Sequence, residues 1–494
     1  MSFKPTKEQE RIFLFTKKRP ENILIKAYAG AGKTTTIVEA VKLIPKDKSI
    51  TFLAFNKHIQ EELKTKLPDH VRCYTTYGLG MGAIKRKYGD SIEFDEFKID
   101  KLIQKKARAW KLEEEFHTEE DISIYLNTLK KLVNLCRLSL TLDAKYIPYV
   151  AERYDIKINR TRDVKRVLKI LDDCATKRKY FDYTDMVFLP AIDNGIWFFQ
   201  QDYVFVDEVQ DLNRCQIRII EKVLKRDRKT KKLKGRLIAV GDFFQGIYGF
   251  NAADEKSFEW FEKFPKTKVL PLSISFRCSK KVIEKAQEIV PYIQARPGAP
   301  EGSVRNGNVL EEAQSGDFVL CRTTMPLVRL FFQFITQHKK AVIKGSDIGN
   351  NLIELIGETK NLDKLIKYWE NELKNFRNDL MKEGILDPKE HTGYAALEDK
   401  VDTLLFLARI SDSILDLKHK IKLIFTDEIQ GIVLSTVHKI KGLEADRVFI
   451  IRPDQLPMQT AKPWQAIQEK NLQYVAYTRA KLDLIFDNDW TDGS

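Results

Sequence analysis

Ala27-Tyr28-Ala29-Gly30-Ala31-Gly32-Lys33-Thr34 lies between the apolar run Ile23-Leu24-Ile25 and a helix-compatible Thr35-Thr36-Ile37-Val38-Glu39-Ala40. A strand, a small-residue turn and a helix in that order are the setting a phosphate-binding loop needs. Backbone N–H groups of the turn must wrap the β- and γ-phosphates, and side chains at Gly30 and Gly32 would block that approach. Lys33 can reach the phosphates as a point charge, and the Thr34 hydroxyl can hold Mg²⁺. Ala29, Gly30, Ala31, Gly32, Lys33, Thr34 and Thr35 are therefore the expected nucleotide-binding stretch. Ala27 stands where the general pattern has glycine.

The alternation continues outward from the loop. Ile50-Thr51-Phe52-Leu53-Ala54-Phe55, Tyr203-Val204-Phe205-Val206, Leu237-Ile238-Ala239-Val240, Phe318-Val319-Leu320 and Arg447-Val448-Phe449-Ile450-Ile451 are short apolar runs, each followed by helix-compatible sequence. That rhythm predicts an α/β fold with parallel sheets. Two stretches break it, from about Ala83 to Arg178 and from about Asn351 to Asp427. Their apolar residues recur at helical spacing, as in Leu126, Leu129, Leu132 and Val133, so both read as helical insertions. Lys225-Arg226-Asp227-Arg228-Lys229-Thr230-Lys231-Lys232 falls between a helix and a strand. It reads as a solvated loop or as a contact to a nucleic-acid backbone.

A chain of 494 residues predicts two to four domains. With 84 Lys and Arg against 70 Asp and Glu, the net charge is +14, the sign expected for a protein that tracks a polyphosphate but equally that of a basic surface. The six cysteines form no CxxC pair, which excludes zinc-knuckle and iron–sulfur spacing and suits a reducing, cytoplasmic-type compartment. Neither a signal-peptide core nor a membrane-length apolar run is present, so a soluble protein with no membrane partner is expected.

Further chemistry clusters after the strands. In Val206-Asp207-Glu208-Val209-Gln210-Asp211 an apolar run ends in paired carboxylates. A strand end near a phosphate loop calls for one carboxylate at Mg²⁺ and another to activate water, roles that suit Asp207 and Glu208 respectively. In Gly241-Asp242-Phe243-Phe244-Gln245-Gly246-Ile247-Tyr248-Gly249-Phe250, the Gln245 amide could orient water or sense the γ-phosphate, because it both donates and accepts. Tyr248 and Phe250 are either core aromatics or ring faces for nucleic-acid bases.

Taken in order, these segments resemble the UvrD/Rep-type superfamily-1 DNA helicases from near the N-terminus to near the C-terminus. Gln9 in Thr6-Lys7-Glu8-Gln9 resembles that family's adenine-reading glutamine, and Phe55-Asn56-Lys57 its strand-binding motif. Tyr74-Thr75-Thr76-Tyr77-Gly78 corresponds to its Thr-Phe-His-Gly. Leu272-Ser273-Ile274-Ser275-Phe276-Arg277 is similar to the segment whose aromatic stacks on adenine and whose arginine contacts the γ-phosphate, implying those roles for Phe276 and Arg277. Ser435-Thr436-Val437-His438-Lys439-Ile440-Lys441-Gly442-Leu443-Glu444 implies DNA contact at Thr436 and His438 and nucleotide contact at Glu444. Tyr474-Val475-Ala476-Tyr477-Thr478-Arg479-Ala480 implies a second γ-phosphate arginine, Arg479.

The resemblance implies two RecA-like P-loop NTPase domains, each with a helical insertion. The expected boundaries are 1–82 with 183–271 for the ATP-binding domain and 83–182 for its insertion. The second domain is expected at 272–350 with 428–494, and its reduced insertion at 351–427. ATP and Mg²⁺ are the implied cofactors, with Lys33, Asp207, Glu208, Gln245, Arg277 and Arg479 catalytic and Thr34 and Asp207 at the metal. Phe55, Asn56, Thr75, Tyr77, Tyr248, Phe250, Thr436 and His438 are the implied DNA contacts. The implied activity is ATP-dependent helicase or translocase action moving 3′ to 5′ on single-stranded DNA or tailed duplexes, in repair, recombination or replication. The alternative is a motor subunit whose output depends on a nuclease or recombinase partner.

Within the family the pattern is most similar to the F-box DNA helicase branch, although no segment ahead of Gln9 is expected to hold an F-box. Tyr77 stands for the usual histidine, Phe250 for tryptophan and Asn251 for arginine, so stacking is expected to survive with one cationic DNA contact fewer. The second insertion is shorter than in UvrD itself, and little sequence follows Arg479. Translocation is accordingly expected more strongly than strand separation.

Overall fold

The computed structural model describes residues 4–116, 118–247, 249, 256–382, 384–460 and 462–490. By packing, the chain divides into two units, one of residues 1–27 and 32–272, the other of residues 28–31 and 273–494.

The first unit is built on a sheet whose four central strands are buried on both faces, as the uninterrupted apolar runs require of a covered parallel sheet, while its two edge strands are partly exposed. β1 (Asn22–Ala27), β2 (Ile50–Ala54), β3 (Val71–Thr75), β6 (Tyr203–Val206), β7 (Arg236–Gly241) and β8 (Thr267–Leu272) form one six-stranded sheet in the order β3-β2-β6-β7-β1-β8. Every pairing is parallel, with registers such as Ile25↔Val240 and Leu53↔Val206 bringing the ends of β1, β2, β6 and β7 to one edge. The two-residue pair β4 (Glu93–Phe94) and β5 (Tyr180–Phe181) lies in the insertion. Helices α1 (Lys7–Lys18), α2 (Lys33–Lys42), α3 (Lys57–Lys64) and α4 (Thr76–Tyr88) alternate with the first strands. The insertion supplies α5 (Lys98–Ala107), α6 (Glu119–Leu138), α7 (Ile147–Arg153), α8 (Arg162–Thr176) and α9 (Asp185–Ile192), and α10 (Arg214–Val223) and α11 (Ser257–Lys263) complete the unit.

The insertion has no separate core. Leu129, Leu132, Val133, Val167 and Ile170 join Leu24, Leu53 and Val204 of the sheet in one continuous apolar cluster. The expected boundary at 82/83 falls inside α4, whose Ala83 and Ile84 are buried in that cluster. A buried ionic network adds direction to this packing. Arg137 of α6 donates to Asp182 (2.8 and 2.7 Å) and to Asp185 of α9 (2.6 Å), and Lys98 of α5 donates to Asp185 (2.5 Å).

The second unit carries the short parallel pair β9 (Ile274–Ser275) and β10 (Gln294–Ala295). Its main sheet contains β11 (Ser303–Asn306), β12 (Phe318–Cys321), β13 (Ala341–Lys344), β14 (Phe425–Thr426), β15 (Ile432–Thr436), β16 (Ala445–Ile451) and β17 (Ala480–Asp487). These seven strands are ordered β11-β17-β16-β12-β15-β13-β14, again with every pairing parallel. Helices Leu362–Lys382, Thr392–Arg409 and Ile414–Ile424 fall between β13 and β14, and their Leu365, Leu404 and Ile421 share a core with Val319, Leu434 and Phe449. The expected boundary at 350/351 falls inside helix Ser346–Ile356 for the same reason, since Leu352 and Ile356 belong to that core.

Candidate functional site

In the first unit the ends of β1, β6 and β7 converge on one charged cluster. Gly32 caps α2 with φ 75° and belongs to a turn in which Gly30 has φ 68°. Both are left-handed conformations that glycine adopts without a Cβ penalty. Lys33 opens α2, and its Nζ donates to Glu208 Oε1 and Oε2 at 2.7 and 2.8 Å. Glu208 follows β6 with φ 49°, an uncommon conformation for a side-chain-bearing residue, which is a signature of functional sites. Gln210 Nε2 donates to Glu208 Oε2 (2.5 Å), while Gln210 Oε1 accepts the Asp242 N–H (3.0 Å). Gln245 Nε2 donates to Asp242 Oδ2 (2.6 Å), so one amide chain ties the end of β6 to the end of β7.

Charges are crowded here. Burial, reinforced by the charge of Glu208, pushes Asp207 up to about 7. Burial also lifts Asp242 to about 6, against the pull of Lys33. Burial pulls the Lys33 ammonium down, but Glu208, Asp207 and Asp242 together hold its pKa above the ordinary value. Gln9 is buried beside the loop: Nε2 donates to Thr36 Oγ1 (2.9 Å) and Oε1 accepts the Thr6 N–H (2.9 Å) in the capping box of α1. Thr34 is half-buried and Thr35 exposed at the start of α2.

The second unit presents cations. It includes residues 28–31, whose Gly30 carbonyl accepts the Phe276 N–H (2.9 Å) and whose Ala29 N–H donates to the Tyr474 hydroxyl (2.9 Å). A Cβ at Gly30 would stand 2.5 Å from Arg277 Cβ, so only glycine fits that approach. Phe276 is 47% exposed. Arg277 pairs with Glu444 and donates from Nη1 to Thr478 O (3.2 Å). Arg479 is 1% exposed, yet its guanidinium meets only carbonyls and a hydroxyl: Val475 O (2.9 Å), Leu443 O (3.2 Å) and Thr478 Oγ1 (3.5 Å). Among the described residues it makes no ion pair. Burial, then the charge of Arg277, lowers Arg479 to about 9.

The implied DNA contacts follow strand ends. Phe55 and Asn56 follow β2, and Asn56 Oδ1 caps α3 by accepting the Ile59 N–H (2.8 Å). Thr75 ends β3 and caps α4 through the Gly78 N–H (3.0 Å). Tyr77 packs against the core. Thr436 ends β15, and His438 lies beyond it with Arg322, Lys439 and Lys441 as its charged neighbours. Tyr248 and Phe250, and with them Asn251, lie outside the described residues.

The residue-by-residue reading missed three groups. Gln210 holds Glu208, Asp242 joins the buried acids, and Tyr474 accepts the Ala29 N–H. Asp242 had a visible signal, since it follows an apolar strand as Asp207 does. Gln210 and Tyr474 had none in spacing alone.

These features, an acid-ringed lysine after a glycine turn and, in a second parallel α/β unit, a buried Arg479 with Arg277 as its neighbour, define a P-loop NTPase with two RecA-like domains. The family model of the UvrD/REP helicase N-terminal domain matches residues 6–266, and that of the UvrD-like helicase C-terminal domain matches residues 327–488. The chain belongs to the UvrD/Rep helicase family. F-box DNA helicase protein 1 of Schizosaccharomyces pombe is 26% identical over 540 residues, covering 98% of this chain and 58% of that protein. F-box DNA helicase 1 of Gallus gallus is 24% identical, covering 98% of this chain and 49% of its own length. ATP-dependent DNA helicase PcrA of Bacillus subtilis is 28% identical over 122 residues, 23% of this chain and 16% of PcrA. The chain thus spans about half the length of the F-box helicases it matches.

Proposed function

We propose that this chain is an ATP-dependent DNA helicase or translocase that moves 3′ to 5′ along single-stranded DNA, in repair, recombination or replication. The observation that carries the reading is the Lys33–Glu208 clasp, ringed by Asp207 and Asp242 immediately beyond a glycine turn. A lysine shared with three acids at a phosphate loop is suited to exchange its carboxylate partner for phosphate oxygens. That exchange would free Glu208 to act on water.

The cluster fits a magnesium nucleotide. Gly30 and Gly32 leave the turn open to phosphates, and Thr34 with Asp207 offers the hard oxygen donors that Mg²⁺ prefers. Mg²⁺ would neutralise developing charge on the phosphates. Within the chain, Gln210 fixes Glu208, Gln245 and Asp242 form the sensing pair, and Gln9 lies on the adenine side of the loop. Phe276 offers the stacking ring, and Glu444 keeps Arg277 oriented. Arg277 and Arg479 are the cations proposed to meet the γ-phosphate, and a buried arginine without a carboxylate is suited to an anion that comes and goes. Phe55, Asn56, Thr75, Tyr77, Thr436 and His438 are proposed to follow the DNA strand.

ATPase and unwinding, measured together on duplexes with 3′ or 5′ tails, test this reading. The expected result is hydrolysis stimulated by single strands and displacement from the 3′ tail only. Stimulation absent with every strand, or displacement solely from the 5′ tail, would overturn it. A Glu208→Gln chain is expected to bind ATP but hydrolyse it at least a hundredfold more slowly.

A further inference from the structure

The basic run after α10 forms a braced turn. Arg226 and Leu233 pair as an antiparallel bridge, the Lys225 N–H donates to Gln201 O (3.0 Å), and the Arg226 N–H donates to Gln200 Oε1 (3.1 Å). Its one acid works inside the turn. Asp227 Oδ1 accepts the N–H groups of Lys229 (3.0 Å) and Thr230 (2.8 Å), and Oδ2 pairs with Lys234 (2.7 Å). Lys225 pairs with Asp202. Arg228, Lys229, Lys231 and Lys232 are exposed and make no ion pair among the described residues. The turn therefore holds up four uncompensated cations.

The segment that anchors this turn carries two exposed rings. Trp197 and Phe199 meet edge to face at 5.0 Å and are 51% and 54% exposed. Beside both lies the Arg86 guanidinium, 5.2 and 5.0 Å from the ring centroids, with Nη2 donating to Trp197 O (3.2 Å). Phe199 is two residues before Gln201, which bridges to Leu224 at the foot of the turn, so about 25 Å of backbone path, a few nucleotides of extended strand, leads from the Phe199 ring to the cations. Tyr203 and Arg236 begin β6 and β7, which places the whole surface at the N-terminal edge of the sheet. Lys33, Asp207 and Asp242 stand at the opposite, C-terminal edge.

We propose that this edge is a second contact for single-stranded DNA, with phosphates on Arg228, Lys229, Lys231 and Lys232 and an unpaired base on Trp197 and Phe199. Cations without partners supply backbone attraction, and ring faces beside a guanidinium supply stacking, the two components of sequence-tolerant single-strand binding. An acidic polypeptide would satisfy the cations but leave the rings exposed. No residue of the nucleotide cluster takes part, so this contact holds its strand in every nucleotide state.

Binding of the full chain to long oligo(dT), followed by fluorescence anisotropy without nucleotide over a salt series, tests the assignment. With Arg228, Lys229, Lys231 and Lys232 all changed to Gln, the salt slope is expected to fall by roughly 3 and the affinity by about tenfold or more. Trp197→Ala is expected to weaken binding about tenfold with the slope unchanged. In the unsubstituted chain, a strand carrying 5-iodouracil should crosslink to the peptide containing Trp197 and Phe199. An unchanged slope and affinity in the quadruple variant, or crosslinks that never include that peptide, would overturn the proposal. Loss of poly-glutamate binding with oligo(dT) binding intact would reassign the surface to an acidic protein.

Discussion

Two arginines are equally buried, Arg137 in the first unit (0% exposed) and Arg479 in the second (1%), but their surroundings differ in kind. Arg137 lies between two carboxylates, and although burial alone would lower its pKa, Asp185 and Asp182 hold it above the ordinary value. Arg479 has only carbonyls and a hydroxyl, with Arg277 as a like-charged neighbour, and its pKa falls to about 9. A buried charge that is fully paired serves architecture, because the cost of its burial is offset permanently. One left without a counter-charge suits a transient anion.

Exchanging the two roles should show the contrast. Arg479→Met is expected to lower the DNA-stimulated ATPase rate a thousandfold or more, the scale of an arginine that stabilises a transferring phosphoryl group. Its denaturation midpoint should change little, and a large loss of stability with normal turnover would invert the assignment. Arg137→Met should do the reverse. It is expected to destabilise the first unit by about 3 to 5 kcal/mol, since Asp182 would lose its arginine and Asp185 would keep Lys98 alone as its cation. Urea denaturation of that variant, and of the same variant carrying Asp182→Asn and Asp185→Asn, would check this, with the added changes restoring part of the loss.

A smaller effect is expected at the clasp. Gln210→Ala should reduce kcat about tenfold and leave KM for ATP nearly unchanged, because the amide positions Glu208 without binding substrate. A rise in KM alone would assign Gln210 to nucleotide binding. The smallest effect concerns pH. Burial, then the charges of Arg322, Lys439 and Lys441, push His438 down to about 3, so it stays neutral through the working range. Its folded pKa lies below the unfolded value near 6.5, so the unfolded chain binds the proton first. Stability is complete above pH 6.5 and falls toward pH 3, by about 1 kcal/mol between pH 7.5 and 5.5. Chemical denaturation at the two pH values should show that loss, and His438→Gln should remove it.

Elements whose signal is local were readable in the sequence. The β1 run, the glycine turn and the start of α2 are contiguous, so one stretch of chain specifies strand, loop and helix together. The ends of β6 and β7 could be located because apolar runs stop abruptly at Asp207 and Asp242. Arg137 gave no such signal among the many cations of a charged helical stretch, because its carboxylates arrive from residues 182 and 185. Two of the expected insertion boundaries, 82/83 and 350/351, fall within helices, since periodicity shows which face is buried but not what covers it. The basic run stayed ambiguous because its character depends on whether Asp227 neutralises it or braces it.

The sequence by itself therefore determined the class of the protein: parallel α/β units, a phosphate loop at Lys33, acids at Asp207 and Glu208, and the ordered motifs of the UvrD/Rep family. Tertiary structure alone decided how charge is shared. It gave Lys33 to Glu208, secured Arg137 with two aspartates and left Arg479 with none. It also put the exposed rings of Trp197 and Phe199 and four uncompensated cations at the same edge of one sheet. The physical reason is that strand and loop propensities act over a few residues, whereas the compensation of a charge depends on what the fold brings within a few ångströms of it.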